Sequence, residues 1–118
     1  MSQVKIKRLF RTVSAATVAT ATASCTTLRL EDMAGAVLFI PTITTNAATI
    51  QVWGNTTDTG TFAQLYNSDG SAASITLAPS TTNQTAYAAP DAVFSVPYVK
   101  FVAATTNATA TVSVVMKS

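Results

Sequence analysis

The sequence predicts an all-β protein: an antiparallel sandwich, jelly-roll-like, with an extended N-terminal arm. Three observations predict it. Of the 118 residues, 22 are threonine, a β-branched residue that is stiff at χ1 and fits a pleated surface better than a helix. Seven or eight short apolar or alternating stretches recur along the chain at regular spacing, separated by turn-forming residues, the spacing of a sandwich or jelly roll. No stretch carries a convincing helical period.

The elements follow in order. Val4 and Ile6 alternate with Lys5 and Lys7, the pattern of a strand with one wet face. Residues 12–27 are alanine-rich but hold six threonines and two valines, which lower helix propensity, so the stretch reads as extended. Residues 1–27 are therefore expected to form a basic arm, and residues 28–118 the sandwich body. Residues 27–30 make a short strand and residues 31–35 a turn. Residues 36–40, closed by Pro41, are apolar on both faces and read as a buried central strand. In residues 49–53, Ile50 and Val52 share one face while Thr49, Gln51 and Trp53 share the other. Residues 54–60 form a polar loop.

Residues 61–66 are the next strand, and Asn67-Ser68-Asp69-Gly70 is the strongest turn signal in the chain, because glycine tolerates positive φ and Asn or Asp caps its own turn. With Ile75 and Leu77 returning inward, residues 61–77 read as a hairpin. A loop at residues 79–83 precedes a short polar strand, residues 84–88. Pro90 opens a single helical turn that runs to Phe94. Residues 98–103 and 109–116 are expected to pair as a second hairpin around Thr105-Thr106-Asn107. In it Ala110, Val112, Val114 and Met116 face Val99 and Phe101 across the core.

Composition narrows the function. Charged residues make up 10% of the chain and histidine is absent, against roughly 25% charged in an average globular protein. Without histidine there is no Ser-His-Asp or Cys-His arrangement and no imidazole metal ligand, and the expectation is a non-enzyme with no cofactor. A surface of Thr, Ser, Asn and Gln suits close packing against copies of itself or a larger assembly. Cys25 is the single cysteine and reads as a small buried hydrophobe. Four of the seven basic residues, Lys5, Lys7, Arg8 and Arg11, fall in the first eleven positions, and no acid appears before Glu31. They read as a basic arm for an acidic partner surface. The arm is short and lacks interleaved aromatics, which argues against nucleic acid. No run approaches the roughly 20 apolar residues of a membrane span. The first 25 residues imitate a lipoprotein signal ending at Cys25, but residues 12–24 have no Leu, Ile or Phe, and Thr22 stands where a lipobox wants Leu or Val.

The acids are Glu31, Asp32, Asp58, Asp69 and Asp91. Glu31-Asp32 reads as a polar turn rather than paired carboxylates. Asp58 and Asp69 flank one strand without the dense Asp/Asn spacing of a calcium loop. Asn-X-Thr sequons at Asn55, Asn83 and Asn107 arise easily in a threonine-rich chain and receive no function. Trp53 and Tyr98 fall opposite the inferred core positions. They read as contacts between subunits, since aromatics are enriched in interface cores.

The run from Leu30 to Phe39, the stretch Ala48-Thr49-Ile50-Gln51-Val52 and the run from Gly60 to Gly70 are similar to small virion proteins of tailed bacteriophages. Ala89-Pro90-Asp91-Ala92-Val93-Phe94 and the final pair of strands extend the similarity over residues 28–118. Thr57-Asp58-Thr59 departs from the pattern, which would place a glycine after the aspartate. The resemblance implies a capsid decoration, or cement, protein on the outer surface of the virion, a homotrimer that staples neighbouring major capsid protein subunits. On that reading Lys5, Lys7, Arg8 and Arg11 contact the shell. Another virion position, at the head–tail joint or a fibre base, is an alternative. An exported carbohydrate-binding module using Trp53 or a tyrosine is another.

Overall fold

The computed structural model describes residues 9–40, 49–77, 84–104 and 110–118. Nine strands are described: β1 (Phe10–Val18), β2 (Leu28–Arg29), β3 (Gly35–Ile40), β4 (Thr49–Asn55), β5 (Ala63–Gln64), β6 (Ser74–Thr76), β7 (Thr85–Ala88), β8 (Tyr98–Ala103) and β9 (Ala110–Lys117). Two single 3₁₀ turns, Thr22–Ser24 and Asp91–Ser95, are the only helical pieces among the described residues. The strands form two antiparallel sheets. Sheet A has the order β1-β9-β3-β7; sheet B has the order β2-β8-β4-β5, with β6 also on β4.

The pairing is nested. The first strand pairs with the last, β2 with β8, β3 with β7, and β4 with β5 and β6. That is one long hairpin folded over on itself, with β9 to β3 and β8 to β4 as the closing contacts. The strand order is that of a jelly roll, and the fold class expected from the sequence is the one observed.

The core lies between the sheets and follows the strand parity. Sheet A sends in Ala36, Leu38 and Ile40 from β3 and Val112, Val114 and Met116 from β9; sheet B sends in Ile50 and Val52 from β4 and Val99, Phe101 and Ala103 from β8. Burying such aliphatic and aromatic side chains contributes about 1.5–3 kcal/mol each relative to exposure. Val93 of the second 3₁₀ turn, fully buried, plugs the same core.

Three expectations need correction. First, the boundary between arm and body does not fall at residue 27. Phe10–Val18 is the edge strand of sheet A, with a bulge between Val13 and Ala16, and its Ala16 and Val18 belong to the core. Ala16 and Val18 point inward at strand spacing, and Val13, before the bulge, packs partly buried against the same core. Second, residues 61–77 are not a hairpin of two mutually paired strands. β5 and β6 both run antiparallel to β4 and so point the same way. Together they fill one strand position, interrupted by a short excursion whose base is the Tyr66–Ala72 bridge. The turn itself is where the sequence puts it, with Gly70 at φ 88. Third, β8 and β9 are consecutive but lie in different sheets, so they face each other across the core rather than pairing as a hairpin. The expected apposition of Val99 and Phe101 with Val112, Val114 and Met116 is observed.

After β1 the chain leaves sheet A and crosses to sheet B. Ala19 makes a parallel bridge with Val102, and the Ala103 N–H donates to the Ala19 carbonyl at 2.8 Å. The loop that follows is closed at its base by Thr17 and Thr26. The Thr17 N–H donates to Thr26 Oγ1 at 2.9 Å and the Thr26 N–H to the Thr17 carbonyl at 3.1 Å.

Candidate functional site

Three surfaces carry the residues that bear on function. The first is the outer face of sheet A. β3 is central, between β9 and β7, as expected for residues 36–40. It is buried on one face only: Ala36, Leu38 and Ile40 point into the core, while Val37 and Phe39 point outward and stay half-exposed. Val37 is flanked by Val115 of β9 and Ala88 of β7, and Phe39 by Ser113 and Ala86. Among the outward positions of the described strands of this sheet, Lys117 is the one charged side chain. Val37, Val115, Ala88, Ala89 and Phe94 line an open depression of about 410 Å³, with Phe10 at its edge and Asp91 and Lys117 on its wall. Phe10 (69% exposed) and Leu9 (61%) are the most exposed large apolar side chains described. The apolar second face of β3 was legible in the sequence. Its partial exposure in the folded chain was not.

The second surface holds the arginines. Of the four basic residues expected to meet a shell, Lys5, Lys7 and Arg8 lie outside the described residues. Arg11 is drawn into the body, where its guanidinium donates to Asp32 Oδ1 at 3.1 Å and to the carbonyl of Arg29. Arg29 in turn pairs with Glu31, Nε to Oε1, at 2.5 Å. Glu31 and Asp32 thus occupy a turn, as expected, and each serves a different arginine.

The third surface is the outer face of sheet B. Trp53 and Tyr98, singled out by parity, do share this face, two rows apart: Trp53 pairs with Lys100, and Tyr98 with Asn55. Trp53 is half-buried, packed against a small separate cluster of Val102, Ala19 and Cys25, so the loop after β1 covers part of the indole. Cys25 is buried, as expected, and its thiol donates to the carbonyls of Ala21 (3.2 Å) and Ala19 (3.6 Å). The Trp53 indole N–H donates to Gln51 Oε1 at 3.2 Å. Gln64, opposite Trp53 on β5, accepts from the Tyr66 hydroxyl at 3.4 Å. The Lys100 ammonium sits 4.4 Å from the centroid of the Phe62 ring, a cation–π contact.

The loops between strands bind themselves. Asn55 Nδ2 donates to the Thr59 carbonyl at 2.8 Å, and its Oδ1 accepts from the Thr56 N–H at 2.8 Å. Asp69 accepts from the Ser71 hydroxyl and N–H at 2.5 and 2.9 Å, which holds its carboxyl below the usual carboxylate range, the hydroxyl being the larger cause. No group of three or more Cys, Asp or Glu suited to a metal ion occurs among the described residues.

The chain matches no protein-family model, no curated protein and no solved structure.

Proposed function

We propose that this is a structural protein of a phage virion, a capsid decoration protein whose copies pack together through the outer face of sheet A. The observation that carries the reading is the apolar outer face of β3: Val37 and Phe39 of a central strand, with Val115 and Ala88 beside them, form a contiguous, part-exposed apolar surface. Monomeric proteins keep such contiguous apolar faces small, and larger ones mark association sites. Lys117 and Asp91 on the same depression give neighbouring copies an opposite-charge pair to align. The jelly-roll topology and the low charge of the whole chain support the same reading, since jelly rolls recur in viral capsid domains.

The contact between subunits expected of Trp53 and Tyr98 is proposed instead for sheet A, where the outward Val37, Phe39, Val115 and Ala88 stand side by side. Lys5, Lys7 and Arg8 precede the exposed Leu9 and Phe10 directly and are the residues proposed to meet the major capsid protein. The mechanism is linkage: a protein that binds only the assembled shell stabilises it by mass action. The test is co-sedimentation with purified heads, prepared without the chain, of a tailed phage that encodes it. Saturable occupancy and a raised temperature of head disruption are expected; free chain in the supernatant at every ratio would refute the proposal.

A further inference from the structure

We infer that the outer face of sheet B carries a binding site for neutral glycans, centred on Trp53. The argument begins with a sequence pattern that the fold places side by side. Gln51-Val52-Trp53 on β4 and Gln64-Leu65-Tyr66 on and after β5 each put a glutamine two residues before an aromatic, and the register sets Trp53 opposite Gln64. In each pair the aromatic donates to its own glutamine's oxygen: Trp53 Nε1 to Gln51 Oε1 at 3.2 Å, and the Tyr66 hydroxyl to Gln64 Oε1 at 3.4 Å. With both amide oxygens engaged, each glutamine's NH₂ group is the part left to meet a ligand. The indole itself packs against Val102, Ala19 and Cys25, which cover part of it, so its orientation is set before any ligand arrives, which lowers the ordering cost of binding.

The charges of this face select the ligand. Arg29 is paired with Glu31, and Lys100 is turned onto Phe62. No acid stands among the outward strand positions described here. Arg29 is thus neutralised by its partner, Lys100 lies against Phe62 beside Trp53 with its charge intact, and a cation finds no carboxylate. An aromatic ring ringed by amide donors suits a sugar, whose C–H face stacks on the ring while its hydroxyls take the amide hydrogens. The site lies on the sheet opposite the proposed packing face and stays open when copies associate, so it adds to that function without depending on it.

Trp53 is the only tryptophan in the chain, so its fluorescence reports this site alone. The intact protein is titrated separately with cellohexaose, maltohexaose, chitohexaose and a galactose-based neutral hexasaccharide, and with a heparin hexasaccharide as the anionic control. A saturable change in emission with at least one neutral sugar is expected, unchanged by 1 M salt, where a Debye length of about 3 Å suppresses surface charge effects. Gln64→Ala should weaken it about 3- to 10-fold, the loss of one net hydrogen bond. Trp53→Phe, which keeps a ring in the core of the site, should abolish the Gln51 contact yet leave cooperative unfolding intact; binding to that variant is read by isothermal calorimetry and should be weakened as well. No response to any neutral sugar, a response to heparin only, or full affinity in Gln64→Ala would each overturn the inference.

Discussion

Arg11 on β1 reaches Asp32 in the turn before β3 across 3.1 Å and, with the same guanidinium, the backbone carbonyl of Arg29. The contact pins the first strand of sheet A to the connection between the sheets, next to the point where Leu9 and Ser118 meet. There the Leu9 N–H donates to Ser118 Oγ at 2.7 Å and the Ser118 N–H to the Leu9 carbonyl at 2.9 Å. Both partners of the ion pair are about a third or more exposed, so Asp32→Asn should cost no more than about 1 kcal/mol, and less in high salt. Denaturant melts at two salt concentrations check both the size and the salt dependence.

The packing of β1 makes a stronger prediction. A chain beginning at Ala19 lacks the whole antiparallel pairing to β9 and the buried Ala16 and Val18. It leaves the inner edge of sheet A unpaired, a ready template for aggregation. Such a chain should show no cooperative thermal transition. Native-like melting of the truncated chain would restore the reading of this segment as a detachable arm.

Gly54 is required by space, not by turn geometry. A Cβ placed there would lie 2.6 Å from Val96 Cγ2 and 3.3 Å from both Leu65 methyl carbons. Gly54→Ala should destabilise by about 1–3 kcal/mol, the ordinary cost of overpacking. Gly35 has nothing within 4 Å of the same position, so Gly35→Ala should be near neutral. Paired urea melts of the two variants check the contrast.

Asp69 gives a pH dependence with a definite sign. Its folded-state pKa is lowered by the Ser71 hydroxyl first and the Ser71 N–H second. The contribution to the turn is therefore present above the unfolded-state pKa and is lost as the pH falls through the lower folded-state value. The Ser71 amide resonance should titrate with a midpoint below that of the same aspartate in a peptide of residues 67–72, and Asp69→Asn should remove the titration.

What the sequence made legible, and what it hid, divides along the range of the interaction. Alternation at Ile50 and Val52, and at Val112, Val114 and Met116, is a local signal, and those side chains point where the period places them. The Asn67–Gly70 turn was legible for the same reason, because Gly70 itself adopts the positive φ. Sheet membership is not local. Nothing near Tyr98 or Ala110 tells β8 to pair with β4 and β9 with β3, and consecutive strands were therefore read as a hairpin. The split edge formed by β5 and β6 was hidden because a two-strand hairpin and an excursion from one strand share the same turn. Trp53 and Tyr98 were found by parity. Gln51 and Gln64 were not, since an amide becomes noticeable only when its partner is known. The proposed packing face of sheet A was half-visible: Val37 and Phe39 showed as a second apolar face, which the sequence reading filled with the rest of the chain.

The measurement that bears most directly on that face is the solution mass of the intact protein by size exclusion with light scattering, beside the variant carrying Val37→Lys and Val115→Lys. Both positions are half-exposed and outside the core, so the variant should fold as before, with the same circular dichroism and a cooperative melt. The wild-type chain should elute as a discrete trimer and the variant as a monomer. A monomeric wild type, or a trimer that survives both lysines, would contradict the assignment of the outer face of sheet A as the surface through which copies of this protein assemble.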